Sequence, residues 1–283
     1  MTPPVLAGVD GSPESTAAAH WAAEEALRRG APLRLVHVWP WLTDGRDALA
    51  EPDHLPAAAQ RTIADAAAGI RRAHPGLDVQ TDVVLDAPAD GLVAVAADAG
   101  LLVLGSRGLG GFTGLLLGSV GMAVAARSTV PVVVVREQGD AEAAEVVVGV
   151  DAHASAEDVL ALAFEEAALR GARVRAVHGW ELPPVFGYAG WVPPETEVAQ
   201  LEALEKKMLA LAVAGQRERH PEVDVVEDVR LGAARALVEA SARASLVVVG
   251  RRRRTVELGP RLGRVAHAVL HHAQAPVAVV PHD

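Results

Sequence analysis

At 283 residues the chain is long enough for one large domain or two of ordinary size, and 51% of it is hydrophobic, mostly Ala, Val and Leu. No apolar run reaches the roughly 18 residues of a membrane helix, the start "MTPPVLAGVDGS" lacks the basic and apolar segments of a secretion signal, and the absence of cysteine excludes disulfides and thiolate metal sites. Together these predict a cytoplasmic protein without membrane insertion. A formal charge of −10 argues against a general nucleic-acid binder.

In chain order, the first Val/Leu-rich run predicts a strand over Val5–Val9, with Asp10 at its carboxyl end. Ser12-Pro13-Glu14 then predicts a helix over Pro13–Arg29, because Ser caps, Pro fits the first turn and Glu meets the positive end of the dipole. Strands follow at Leu33–Val38, Val79–Val84, Leu101–Leu104 and Val132–Val135, and helices at Ala57–Ala73, Ala89–Ala97 and Ser119–Arg127. Alternating strands and helices predict a parallel α/β sheet, and runs such as "LLVL" and "VVVV" suit strands buried on both faces.

The chain then repeats itself. "LAGVDGSPESTAAAHWAAEEALRRGAPLRLVHVW" from Leu6 is in step with "VVGVDAHASAEDVLALAFEEAALRGARVRAVHGW" from Val147, aligning Asp10 with Asp151, Gly30 with Gly171 and His37 with His178. Further on, "GLLVLGSRG" matches "ASLVVVGRR" after an insertion of four residues. The polar stretch from Arg136 to Glu145 reads as a linker, giving domains over 1–138 and 144–283.

The stretch "VLGSRGLGGFTGLLLGSVG" carries the chemistry. Gly105 and Gly108 let the backbone leave a strand and approach a ligand without a Cβ in the way. Gly118-Ser119 opens a helix, whose free amides and positive dipole end suit an anion. In open parallel sheets ligands lie outside the carboxyl ends of the strands, where Asp10 and this loop both fall. With lysine only at Lys206 and Lys207, the loop is not a Walker phosphate loop. A flexible turn with no ligand is the alternative.

"VLAGVDGSPES", "LVHVW" and "LLVLGSRGLGGFTGLLLGSVGMAVAARSTVPVVVV" resemble the universal stress protein family, in tandem over essentially the whole chain. The last stretch is similar to that family's ATP-binding pattern, G-x2-G-x9-G-[S/T]. The resemblance implies two Rossmann-like or flavodoxin-like domains, each a five-stranded parallel sheet flanked by helices. It implies ATP with Mg2+ held by Asp10, Gly11, Ser12, Val38, Gly105, Arg107, Gly108, Gly118, Ser119 and Val120, with Val38 against the adenine. It also implies pseudo-twofold pairing of the two units and a homodimer.

The second copy departs from the pattern. Gly250 and Gly263 keep the spacing, but Gly108 is answered by Arg253, Ser119 by Arg264, and Gly11-Ser12 by Ala152-His153. A second site at Asp151, Gly250, Arg253, Gly263 and Arg264 is therefore a degenerate one. Arg251 to Arg254 read either as a solvated or interface loop or as guanidinium groups replacing glycine amides around phosphate. His37 and His178, inside apolar strands, read as structural histidines, and His271-His272 as surface or dipole-facing ones rather than metal ligands. Trp39, Trp41, Trp180, Phe186, Tyr188 and Trp191 cluster after the second strand of either copy, where they pack an interface or cover a base.

No nucleophile with a base and an orienting acid is evident. The reading is thus a nucleotide-responsive stress or regulatory factor with little or no turnover, not an enzyme. A dimerising scaffold that ignores nucleotide, a cyclic-AMP binder and a true ATPase remain as alternatives.

Overall fold

The computed structural model describes residues 2–40, 57–108, 117–136, 144–182, 194–253 and 262–283. Two compact units divide the chain, residues 1–137 and 138–283. The first runs β1 (Val5–Gly8), α1 (Pro13–Arg29), β2 (Leu33–Trp39), α2 (Ala57–Ala73), β3 (Val79–Leu85), α3 (Pro88–Ala96), β4 (Leu101–Gly105), α4 (Ser119–Arg127) and β5 (Val132–Val135). The second repeats this with β6 (Glu145–Gly149), α5 (Glu157–Arg170), β7 (Arg173–Trp180), α6 (Glu195–Arg219), β8 (Val225–Leu231), α7 (Ala233–Ser241), β9 (Leu246–Arg252), α8 (Arg264–His272) and β10 (Val277–His282).

Every strand pair within a unit is parallel, in the order β3-β2-β1-β4-β5 and, in the second unit, β8-β7-β6-β9-β10. This is the strand order of a Rossmann sheet without its sixth strand. Helices α1 and α2 pack together on one face and α3 and α4 on the other, an arrangement α5 to α8 repeat. The apolar runs fill the sheet between them: Leu6, Leu33, Leu35, Leu101 and Leu102 are completely buried, as are Val146, Val147, Val148 and Phe164 in the second unit.

Local chemistry fixes the ends of α1. Ser12 Oγ accepts from the Ser15 amide at 3.1 Å, Pro13 occupies the first turn, and Gly30 closes the helix in the left-handed region at φ +57°. Gly171 closes α5 in the same way at φ +61°. Their starts differ. Helix α5 begins at Glu157, the counterpart of Thr16, so the three residues matching the first turn of α1 lie outside the helix. His153 and Ala154 stand where Ser12 and Pro13 supply the cap and the fixed φ, and Ala156 offers no side-chain cap.

The copies differ a second time at the strand that precedes the glycine loop. Strand β4 ends at Gly105, whereas β9 continues to Arg252, because β10 runs on to His282 and pairs Pro281 with Arg251 and His282 with Arg252.

Candidate functional site

In an open parallel sheet the ligand crevice lies at the switch point, here outside the carboxyl ends of β1 and β4. The chain leaves β1 through Asp10 and Gly11, the latter at φ +86°, where a side chain would be strained. Asp10 Oδ1 then accepts from Ser12 twice, from its amide at 3.0 Å and its hydroxyl at 2.6 Å. Those bonds fix the carboxylate at the start of α1.

The β4 loop arrives against this corner. A Cβ on Gly105 would stand 2.6 Å from the Glu14 carbonyl carbon and 2.9 Å from the Ser15 amide nitrogen, so only glycine lets β4 pass that close to α1. A Cβ on Gly108 would collide with Asp10 Oδ2. Arg107 turns back to pair with Glu14 at 2.9 Å. The Gly118 amide donates to the Ser106 carbonyl at 2.8 Å, which brings the far end of the loop to the near one. Gly118 is the N-cap of α4 and brings no side chain to its first turn, where Ser119 is exposed and Val120 half-buried. Among the described residues no side chain caps the first amides of α4, at the positive end of its dipole.

Asp10, Gly11, Ser12, Gly105, Arg107, Gly108, Gly118 and the start of α4 thus meet at one edge of the first unit. Val38 lies one strand over on β2, nearly buried, with Gly91 of α3 directly above it. Residues 109 to 116 of the loop lie outside the described residues, as do Trp41, Phe186, Tyr188, Trp191 and Arg254.

In the second unit a cleft of about 980 Å³ opens at the matching edge, lined among others by Asp151, Gly179, Gly250, Arg252, Gly263 and Arg264. Its polar contacts are rewired. Arg252 donates to Asp151 Oδ2 at 3.1 Å, and the Arg253 amide donates to the His282 carbonyl at 2.6 Å, continuing the ladder where the first unit has left the sheet. One expectation is corrected here: Arg251 and Arg252 are not part of a solvated loop but the last rungs of β9. Strand alternation exposes Arg252 and buries Arg251 to 8% exposure. Burial pulls the Arg251 guanidinium below its ordinary range, and the positive charge of Arg253 adds to the effect.

His37 and His178 are both buried, and each turns Nδ1 to the carbonyl at the end of the first strand of its unit, Val9 at 2.6 Å and Val150 at 2.9 Å. They differ at Nε2. That of His37 has no partner among the described residues, while that of His178 lies 3.0 Å from Glu205 Oε2. His271 and His272 occupy the last turn of α8, where a positive charge complements the helix dipole.

Sequence reasoning did not single out Glu14 as the partner of Arg107 or Arg252 as the partner of Asp151. The acid two residues after the Gly11-Ser12 turn was a signal for the former. It read only as a dipole residue.

A repeated Rossmann-type unit with a glycine loop at its switch point defines the class, and the sequence comparison places the chain within it. The profile of the universal stress protein family matches residues 1–136 and again 144–281, and the chain belongs to that family as a tandem member. It is 37% identical to the universal stress protein Rv2005c of Mycobacterium tuberculosis, over 97% of this chain and 96% of that one. It is also 35% identical to a universal stress protein of Mycolicibacterium smegmatis, over 98% and 96%. Among solved structures, a universal stress protein from Archaeoglobus fulgidus superposes with a TM-score of 0.70 at 17% identity, covering 99% of this chain and 98% of that one, which reflects a shared fold. Among the described residues, no helix is long and apolar enough to cross a membrane.

Proposed function

We propose that the first unit binds ATP with Mg2+ and that the protein is a nucleotide-responsive stress or regulatory factor in the cytoplasm, with little or no turnover. The observation that carries this reading is the meeting of Gly108 with the Asp10 carboxylate beside the first turn of α4, which no side chain caps among the described residues. An anion at that turn gains several amide bonds, each worth about 1.5–3 kcal/mol when charge-assisted, enough for micromolar binding after association costs. Asp10 accepts from a ribose hydroxyl or helps to hold Mg2+, Ser119 and Val120 offer amides to phosphate, and Val38 provides an apolar wall for the base. Bound ATP would supply negative charge at the switch point, to which loop and helix respond.

The same logic makes the second unit a pseudo-site. Asp151 is already paired with Arg252, and Arg253 stands where the close approach requires glycine. Isothermal titration of the nucleotide-free chain with Mg-ATP tests the proposal. One site per chain supports it, two sites would mean that the arginines grip phosphate, and no heat would favour a scaffold that dimerises without nucleotide. Competition between ATP and cyclic AMP separates those two ligands.

A further inference from the structure

Away from the glycine loop, three side chains of the second unit converge. His153 lies in the turn after β6, His178 on β7 and Glu205 on α6. Their candidate ligand atoms all lie within 4.8 Å of one another. Glu205 Oε2 is 2.8 Å from His153 Nε2 and 3.0 Å from His178 Nε2, and the two rings meet edge to face at 5.7 Å between centroids.

The tautomer of His178 gives this cluster its meaning. Its Nδ1 lies 2.9 Å from the Val150 carbonyl oxygen and 3.4 Å from the Ala152 amide nitrogen. The shorter contact is with an acceptor, so the proton belongs on Nδ1. His37 makes the same contact with Val9 in the first unit. With Nδ1 carrying a proton, Nε2 meets the carboxylate oxygen at 3.0 Å, a contact that requires either a second proton or a metal ion between the two atoms. An Nδ1–H bonded to a backbone carbonyl is also the usual outer support of a metal-ligating imidazole.

We infer that His153, His178 and Glu205 hold a divalent first-row transition ion of the zinc type, with a fourth position open to water. Two imidazoles select against magnesium and calcium, which take oxygen ligands. Two His and one Glu with an open position is an established zinc ligand set. Tetrahedral zinc separates its donors by about 3.3 Å, so Glu205 must withdraw by a few tenths of an ångström and the more exposed His153 must swing toward His178, since the ligand atoms now span up to 4.8 Å. His153 is more than half exposed, which leaves a route for the ion, while His178 is buried and fixes one ligand. The set belongs to the second copy alone. Ser12 occupies the position of His153 in the first unit and is committed to capping α1. The bound ion ties α6 to the turn that carries Asp151, and the inference does not depend on nucleotide binding.

The test uses the full chain, stripped with chelator and titrated with Zn2+ and with Co2+, whose visible absorption reports tetrahedral coordination. His153→Ala removes the exposed ligand, Glu205→Gln keeps the shape of the mostly buried one, and His271→Ala/His272→Ala controls for adventitious binding at α8. One ion per chain is expected, with affinity lowered at least tenfold by either cluster substitution and unchanged by the control. Zn2+ should also raise the melting temperature of the wild type and not that of Glu205→Gln. No stoichiometric binding by the wild type would mean that protons alone join the cluster, and equal binding by the variants would place the ion elsewhere; either result overturns the assignment.

Discussion

Gly108 stands against the carboxylate of Asp10 so closely that a Cβ would collide with Oδ2. The obstacle is a side-chain oxygen and not backbone, so substitution should spare the fold and alter the site. Gly108→Arg writes the second copy's residue into the first and brings a guanidinium beside Asp10. The expected outcome is a melting temperature within a few degrees of wild type and a loss of ATP affinity of at least a hundredfold, about 2.7 kcal/mol, measured by isothermal titration. Unchanged affinity would remove the loop from the binding site.

Arg253→Gly, the reverse exchange, should leave the stoichiometry at one ATP per chain. The Arg253 amide already donates to the His282 carbonyl at 2.6 Å, and glycine can make the same bond. Appearance of a second site in the titration would show that side-chain bulk alone closes the second copy.

Ser12→Ala tests whether the start of α1 is coupled to the site. The variant loses the cap to the Ser15 amide and the 2.6 Å bond to Asp10. Thermal or urea unfolding should show a loss of about 1 kcal/mol, and ATP affinity should fall several-fold because Asp10 keeps only the backbone bond from residue 12. A stability loss with unchanged affinity would make Asp10 a helix-start residue only.

Glu145 provides a pH-dependent contribution in the second unit. Burial raises its pKa, but hydrogen bonds and charge from Arg175 and Arg173, at 2.8 and 2.7 Å, outweigh burial and hold the carboxyl below its ordinary range. A depressed carboxylate stabilises above its unfolded value, near 4.3 for Glu, and loses that contribution as pH falls through the lower folded value. Glu145→Gln should therefore cost about 1–3 kcal/mol at pH 7 and flatten the fall in stability below about pH 4, as read from urea titrations across pH.

The elements most legible in the sequence are those decided by neighbours along the chain. Ser12-Pro13 starts α1 at the expected residue, α2, α4 and β5 have their expected bounds, and the spacing from Gly105 to Ser119 follows from one strand-to-helix connection. Arg251 was not legible, because its burial depends on β10 continuing through Pro281 to His282 and offering β9 two more partners. Four successive arginines otherwise read as a solvated turn. The convergence of His153, His178 and Glu205 was hidden for the same reason. The residues are up to 52 positions apart, and only the packing of α6 over β7 brings the acid to the histidines.

The two added rungs of β9 make the difference between the copies hard to reverse. Each residue gained by a strand sends its side chain to the opposite face from the last, so Arg252 came to Asp151 while Arg251 was drawn into the interior. Returning glycine to position 253 leaves both commitments in place, and removing Arg251 alone opens a void in packed structure. A duplicated edge that has been knitted into its sheet can be unpicked only by several changes at once, a ratchet that keeps the halves of this chain distinct.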